Sequence, residues 1–304
     1  MTGLSVVAAL VIFAVSVDFG VPGQELLSTL RFHIGAVLLL LPLGLALSGA
    51  RLRALVMAGL VGLSLAQGAA IVLGQQQRRA PLENAAPQAS FRVLSFNILN
   101  DNRRGAEAAA FAIDSDADIL VLMETAGLGA AGLDAIAARY PHRLGCDAPA
   151  TCDVTIFSRT PLADTRILRL EGLNRRRLLT AATIIDGQPV TIVALHLTKP
   201  YFDNVAVFEL RQARSVIGAI EGPVLLAGDF NAAAWSEQIA AFASDLGLVP
   251  PPGYPATWPV RIAPLGVPID NMFTHGPVLI REIAPTPEAF GSNHLGLLAT
   301  VDLF

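Results

Sequence analysis

Residues 223–232, PVLLAGDFNA, decide the reading of this chain. A short apolar run ends at Gly228, and Asp229, Phe230 and Asn231 follow at once. Such a run, bounded by turn-forming residues, reads as a strand. The same form recurs outward from it at 91–96 (FRVLSF), 119–123 (ILVLM), 154–157 (VTIF), 190–195 (VTIVAL), 269–273 (IDNMF) and 297–302 (LLATVD). Between these runs, 105–113, 128–139, 206–220 and 236–246 carry helical, alanine-rich patterns. Strands alternating with helices predict one α/β domain over 91–304, within the ordinary size range for a domain.

The chemistry sits where the runs stop. FRVLSF ends at Asn97, ILVLM at Glu124, VTIVAL at His196 and VLLAG at Asp229, with Asn231 two residues on. Asp270 lies in IDNMF, and Asn293-His294 precede the last run. One polar residue at a strand end is an ordinary cap or turn. A series of them, all of metal-ligand or acid/base type, predicts a constellation along one rim of a sheet.

The other end of the chain is different in kind. Residues 1–77 hold five of the 46 charged residues: Asp18, Glu25, Arg31, Arg51 and Arg53. Mean hydropathy is +0.55, too apolar for an ordinary soluble protein, and 53% hydrophobic content excludes intrinsic disorder. The stretches 1–17, 32–50 and 54–74 lack Asp, Glu, Lys and Arg, and a spanning helix needs about 20 apolar residues. The expectation is a membrane region over 1–74 with about three transmembrane helices, then a polar linker over 75–90 containing two prolines. A signal peptide is the alternative for 1–17, but no basic segment precedes it.

Arg51 and Arg53 in the turn before the last stretch place that turn in the cytoplasm and send the domain outward, against the opposing pair Arg78-Arg79. Cys146 and Cys152 in the loop CDAPATC are compatible with a disulfide, which persists in oxidising compartments, or with two free thiols. The expected location is therefore multi-pass in the inner membrane, with the domain periplasmic. From residue 78 onward 18 basic residues face 23 acidic ones, and Lys199 is the only lysine. That balance disfavours a general nucleic-acid binder.

The ordered set SFN, DILVLMET, HL, AGDFNA, IDNMF and GSNH resembles the endonuclease/exonuclease/phosphatase superfamily, relatives of deoxyribonuclease I, neutral sphingomyelinases and inositol polyphosphate 5-phosphatases. AGDFNAAAWS followed by Thr257-Trp258-Pro259 is similar to the membrane-anchored bacterial branch that includes teicoplanin-resistance-associated proteins. The resemblance covers 91–304 and implies a four-layer α/β sandwich of two packed sheets flanked by helices. It implies metal ligation by Glu124 with Asn97 and Asn293, the cation being Mg²⁺ or Mn²⁺. It also implies that Asp229 aligns the attacking water, that Asn231 donates its amide to phosphate, that His196 and His294 face the phosphate, and that Asp270 orients His294.

Two positions depart from the family pattern. Asn293 stands where an aspartate is usual, which keeps an oxygen ligand but removes a charge. Met123 replaces the usual glutamine. Weaker signals are Lys199 as a phosphate contact, Arg175-Arg176-Arg177 as a surface loop, and Asp153 as either an orienter of His196 or a loop residue. His33 reads as structural, and His142 and His275 follow no motif. The implied activity is a membrane-tethered, metal-dependent phosphoesterase acting on a phosphate ester, lipid-linked for preference. A nuclease and a non-catalytic membrane binding protein are the rivals, and no protein partner is implied.

Overall fold

The computed structural model describes residues 2–147 and 152–304. Two mixed sheets pack face to face. The first runs in the order β10 (Val278–Pro285), β11 (Leu297–Leu303), β1 (Ala89–Asn97), β2 (Ile119–Met123), β4 (Val154–Ser158), β3 (His142–Leu144). The second runs β5 (Ala163–Leu170), β6 (Arg175–Ile185), β7 (Gln188–His196), β8 (Val224–Asp229), β9 (Asp270–His275). Among the described residues, only β1–β2 and β7–β8 pair in parallel.

Period-2 side-chain direction explains the layers. Phe91 and Val93 of β1 face the second sheet and share a core with Ile192, Leu225 and Met272. Leu94 and Phe96 face the other way, under α7 (Gly105–Asp114) and α8 (Gly129–Arg139), where they meet Ala108, Ala112 and Ile136. Across the sandwich, α9 (Val205–Ile217) and α10 (Glu237–Asp245) bring Leu210, Ala213 and Phe242 onto Leu195, Leu226 and Phe273. Strands covered on both faces have no reason to alternate in polarity, and ILVLM is buried throughout. Helix, sheet, sheet and helix make the expected α/β sandwich.

Two expectations need correction. The triple arginine is not a surface loop. Arg175 and Arg176 open β6 opposite Leu170 and Arg169, and Arg177 is buried. Nor are there three transmembrane helices. The apolar region forms α1 (Thr2–Ser16), α2 (Gln24–Thr29), α3 (Arg31–Leu38), α4 (Leu40–Leu47) and α5 (Arg51–Gln77). Among the described residues only α5 is long and apolar enough to cross a membrane. Its 27 residues extend about 40 Å, against a hydrocarbon core of about 30 Å. The run 32–50 fails because α3 and α4 part at Leu39, and Pro42 has no N–H to offer the Leu38 carbonyl. The apolar helices pack on α5 through Ile12, Leu45, Met57 and Val61, while Leu10, Phe13, Leu40, Leu47, Leu55 and Leu63 stay exposed.

The segment expected as a linker begins with the end of α5 and includes α6 (Ala80–Glu83). Arg78 donates to the carbonyls of Ala243 and Leu248, and the buried Arg79 to those of Pro250 and Ile280.

Gly228 shows why the deciding stretch needs a glycine. Its φ is 152°, and a Cβ there would stand 1.8 Å from the Leu195 carbonyl oxygen on β7. Backbone cannot give way as a flexible side chain can. Gly228→Ala is expected to destabilise the domain by about 3 kcal/mol or more, read as a lowered denaturation midpoint. A midpoint within error of the parent would show that the β7–β8 approach is looser than described.

Candidate active site

Parallel β1, β2, β7 and β8 end at the rim where antiparallel β4, β9 and β11 begin. The seven ends collect Asn97, Glu124, Asp153, His196, Asp229, Asp270 and the Ser292–His294 turn. Register fixes part of this directly: Asp229 pairs with His196 on β7 and with Asp270 on β9.

Asp229 is at the centre and 1% exposed. Its Oδ2 accepts Asn97 Nδ2 at 3.0 Å and its Oδ1 accepts the Asn231 N–H at 2.8 Å. The Nε2 atoms of His196 and His294 each lie 3.8 Å from Oδ2. Behind each ring stands a second carboxylate: Asp153 Oδ1 at 2.7 Å from His196 Nδ1, and Asp270 Oδ2 at 2.8 Å from His294 Nδ1. Asp153 is itself held by Arg177 Nε at 2.6 Å. Two Asp–His pairs thus converge on one buried carboxylate, each fixing a ring with Nε2 turned inward.

The charges shift accordingly. Burial, then the Asp270 charge, push the Asp229 carboxyl up from its ordinary value. Burial alone would lower His294, but the charges of Asp270 and Asp229 and the Asp270 hydrogen bond raise it to about 9. Burial would raise Asp153, yet the His196 hydrogen bond and the His196 and Arg177 charges bring it to about 2. Tyr201, in the loop after β7, is raised by burial and by the charge of Asp229.

The residues expected at the site from sequence all lie on this rim, but not all in the expected pose. Asn97 Oδ1 accepts the Leu99 N–H at 3.0 Å, so its Nδ2 faces Asp229 and Glu124, the latter at 3.3 Å. It presents a donor and cross-links two carboxylates. Asn231 lies beyond the strand, at φ 52°, and does not present its amide to the phosphate position as the resemblance implies. Its Nδ2 is spent on the Leu197 carbonyl at 2.8 Å, and Oδ1 is left without a partner. Glu124, also at a left-handed φ of 52°, accepts the Asn100 N–H at 2.8 Å. Lys199 is exposed, and His33 bonds the Leu265 carbonyl.

Three positioning groups went unread in the sequence. Arg177 lies 24 residues from Asp153 and meets it only because β4 and β6 face each other across the sandwich. Ser292 donates to the Asn97 carbonyl at 2.6 Å and accepts the His294 N–H at 3.0 Å. Thr257 Oγ1 accepts the Asp270 N–H at 3.3 Å. The disulfide between Cys146 and Cys152 is formed, and the loop that it closes leads into Asp153.

A divalent cation is testable against these atoms. Buried Asn293 Oδ1 has no hydrogen-bond partner and half-buried Glu124 lies on the same rim; ligating atoms of Asp229, Asp270 and His294 also lie within 4.8 Å of one another, but there the His294 cation takes the place of a metal. Unpaired buried oxygens are costly, and hard oxygen donors suit Mg²⁺ or Mn²⁺. The donor set fits.

The profile of the Endonuclease/Exonuclease/phosphatase family matches residues 94–294. No curated protein matches the chain. Among solved structures, an endonuclease/exonuclease/phosphatase protein from Beutenbergia cavernae is 20% identical, with 71% of this chain and 72% of that one covered and a TM-score of 0.60. Sphingomyelinase C from Streptomyces griseocarneus is 19% identical, with 69% and 99% covered and a TM-score of 0.53. A beta-toxin variant from Staphylococcus aureus with bound magnesium ions is 14% identical, with 69% and 99% covered and a TM-score of 0.53. At these identities the likeness is one of fold.

The raised His294 pKa has a signed consequence. Protonated His294 stabilises the folded chain fully below about pH 6.5, and that contribution disappears as pH rises through about 9. Denaturation of the chelator-treated protein should lose on the order of 3 kcal/mol across this window, and His294→Gln should flatten the loss. Parallel pH profiles for the two proteins would contradict the pairing with Asp270 and Asp229.

Proposed function

The chain belongs to the endonuclease/exonuclease/phosphatase family, and on that premise we propose that it is a divalent-metal-dependent phosphoesterase held at a membrane by α5. The observation that carries the reading is the buried Asp229 between two imidazoles, each backed by its own carboxylate. Asp229 has the position to align a water and receive its proton, and burial raises its basicity toward that task. His294, cationic at neutral pH, and His196 present Nε2 to the oxygens of a phosphate. Fixed donors of this kind stabilise charge that grows in the transition state.

Glu124 and the amide oxygen of Asn293 would hold the cation, since the positive His294 opposes a second cation between Asp229 and Asp270. When bound, Mg²⁺ or Mn²⁺ supplies Lewis-acid neutralisation of the phosphate. Asn293 contributes no charge to that site, so modest affinity is expected.

A phosphate ester borne by a membrane amphiphile is the substrate class that suits a tethered, acidic domain, and sphingomyelinase is among the proteins of like fold. The excess of acidic residues after position 78 works against a nuclease. In this reading the domain lies outside the cytoplasm. Arg51 and Arg53 mark the cytoplasmic end of α5, whereas the opposing Arg78 and Arg79 are consumed by carbonyls of the domain and are not free juxtamembrane charges. The Cys146–Cys152 disulfide agrees with an oxidising compartment.

Full-length protein in detergent, assayed on phospholipids, polyprenyl phosphates and DNA with Mg²⁺ and with chelator, tests the activity. Metal-dependent hydrolysis of a lipid phosphate is expected, with Asp229→Asn losing about 10²–10⁴ in kcat. Glu124→Gln is expected to weaken Mg²⁺ binding in calorimetry more than Asp270→Asn does. Hydrolysis that survives chelation, or survives Asp229→Asn, would refute the mechanism.

Alkaline phosphatase and fluorescent-protein fusions after residue 90 test the orientation. Active phosphatase and a dark fluorescent fusion are expected. The converse pattern would put the domain in the cytoplasm.

A further inference from the structure

The segment that follows Asp229 and Asn231 is held by the N-terminal helices. Thr29 Oγ1 accepts the Ala233 N–H at 3.1 Å, and the Thr29 carbonyl accepts the Trp235 indole N–H at 3.1 Å. Gln75 Nε2, on α5, donates to the Ala234 carbonyl at 2.7 Å. The Glu25 carboxylate accepts the Ser236 hydroxyl and the Gln238 N–H at 3.3 Å, and Arg31 pairs with Glu237 at 2.7 Å. Residues 231–236 are buried, as is Thr29. A buried loop must have its backbone groups satisfied, and here helices far away in sequence satisfy them.

What this hold protects is a strained turn. Asn231 stands at φ 52°, a left-handed conformation that asparagine adopts more readily than other side chains but that still costs more than an extended one. Upstream, the Asp229 Oδ1 and Leu197 carbonyl contacts fix it. Downstream, the grip on residues 233–236 stops the turn from relaxing. We infer that Thr29 and Gln75 are positioning residues for Asp229 and Asn231, so that the site is complete only when α2 and α5 are packed against the domain. The catalytic part of this inference rests on the phosphoesterase reading; the grip itself does not. A chain whose helices have not assembled in the bilayer would carry an unfinished site, which confines activity to the inserted protein.

The test uses the full chain in detergent and two readouts, amide hydrogen exchange over 229–236 and steady-state kinetics on a phosphate ester. Thr29→Val keeps the side-chain shape and removes the acceptor. Exchange is expected to rise about tenfold, and kcat to fall about tenfold with KM within about twofold. Thr29→Ser should restore both. Gln75→Leu should act in the same direction from the other helix, which guards against a folding defect peculiar to one variant. Ser48→Ala, which breaks a contact with the Leu45 carbonyl in the turn before α5, should match the parent. Unchanged exchange in both Thr29→Val and Gln75→Leu would overturn the inference, whatever the activity. Faster exchange with unaltered kcat would also overturn it. A parent that hydrolyses nothing would sink the phosphoesterase reading instead; faster exchange over 229–236 in both variants would then support the grip, and unchanged exchange would end it.

Discussion

A carboxylate without water or counter-charge is among the most expensive things a fold can bury, and Asp229 is 1% exposed at the seam of two sheets. The surroundings compensate it from both sides. Asn97 reaches it from the first sheet and the Asn231 N–H from the turn after β8. His196 comes from β7, and His294 from the turn before β11. Each partner needs a particular register, so the pairings Asp229–His196 and Asp229–Asp270 are constraints as well as outcomes. The group that is hardest to bury is also the one whose raised basicity suits it to move a proton.

The two Asp–His pairs look alike but are built differently. Asp270 gives its Oδ2 to His294 and leaves Oδ1 unpaired, so its charge goes largely to the imidazolium and to whatever ligand arrives. Asp153 shares its charge between His196 and Arg177. Asp153 also sits next to Cys152, and the backbone N–H groups of Thr125 and Ala126 donate to the carbonyls of Asp153 and Cys152. The turn that carries Glu124 and the residue that orients His196 are therefore one bonded unit. Displacing either would displace both.

The apolar helices carry two burdens on the same few residues. The exposed apolar side chains of α1, α4 and α5, Leu10, Leu40 and Leu63 among them, suit a hydrocarbon environment. The other end of the bundle is polar and committed: Arg31, Gln75, Arg78 and Arg79 all bond to the domain. Free charges near a membrane report orientation, whereas arginines sequestered by carbonyls report packing. Arg78 and Arg79 belong to the second kind, which is why counting them beside Arg51 and Arg53 weakens a valid rule.

Local signals made part of this legible in advance. Buried central strands announce themselves as continuous apolar runs, and β1, β2, β7 and β8 fall where those runs do. Their polar ends marked the rim, and the spacing of Gly228, Asp229 and Asn231 marked its centre. The edge strands β3, β5 and β10 were silent, because charges such as Arg143, Arg166 and Glu282 mask the pattern; edge strand β9 was read, and interior β6 was missed because it opens on Arg175-Arg176-Arg177. Hydropathy likewise counted apolar residues without seeing that Pro42 and the break at Leu39 divide a span. Only the tertiary structure decided the pairings: Asp153 with His196 over 43 residues, Arg177 with Asp153 across the two sheets, and Thr29 with Ala233 over 204. Hydrophobic pattern is a property of neighbours along the chain. The partner of a buried polar group depends on which distant strand or helix comes to lie beside it, and only the packed fold settles that.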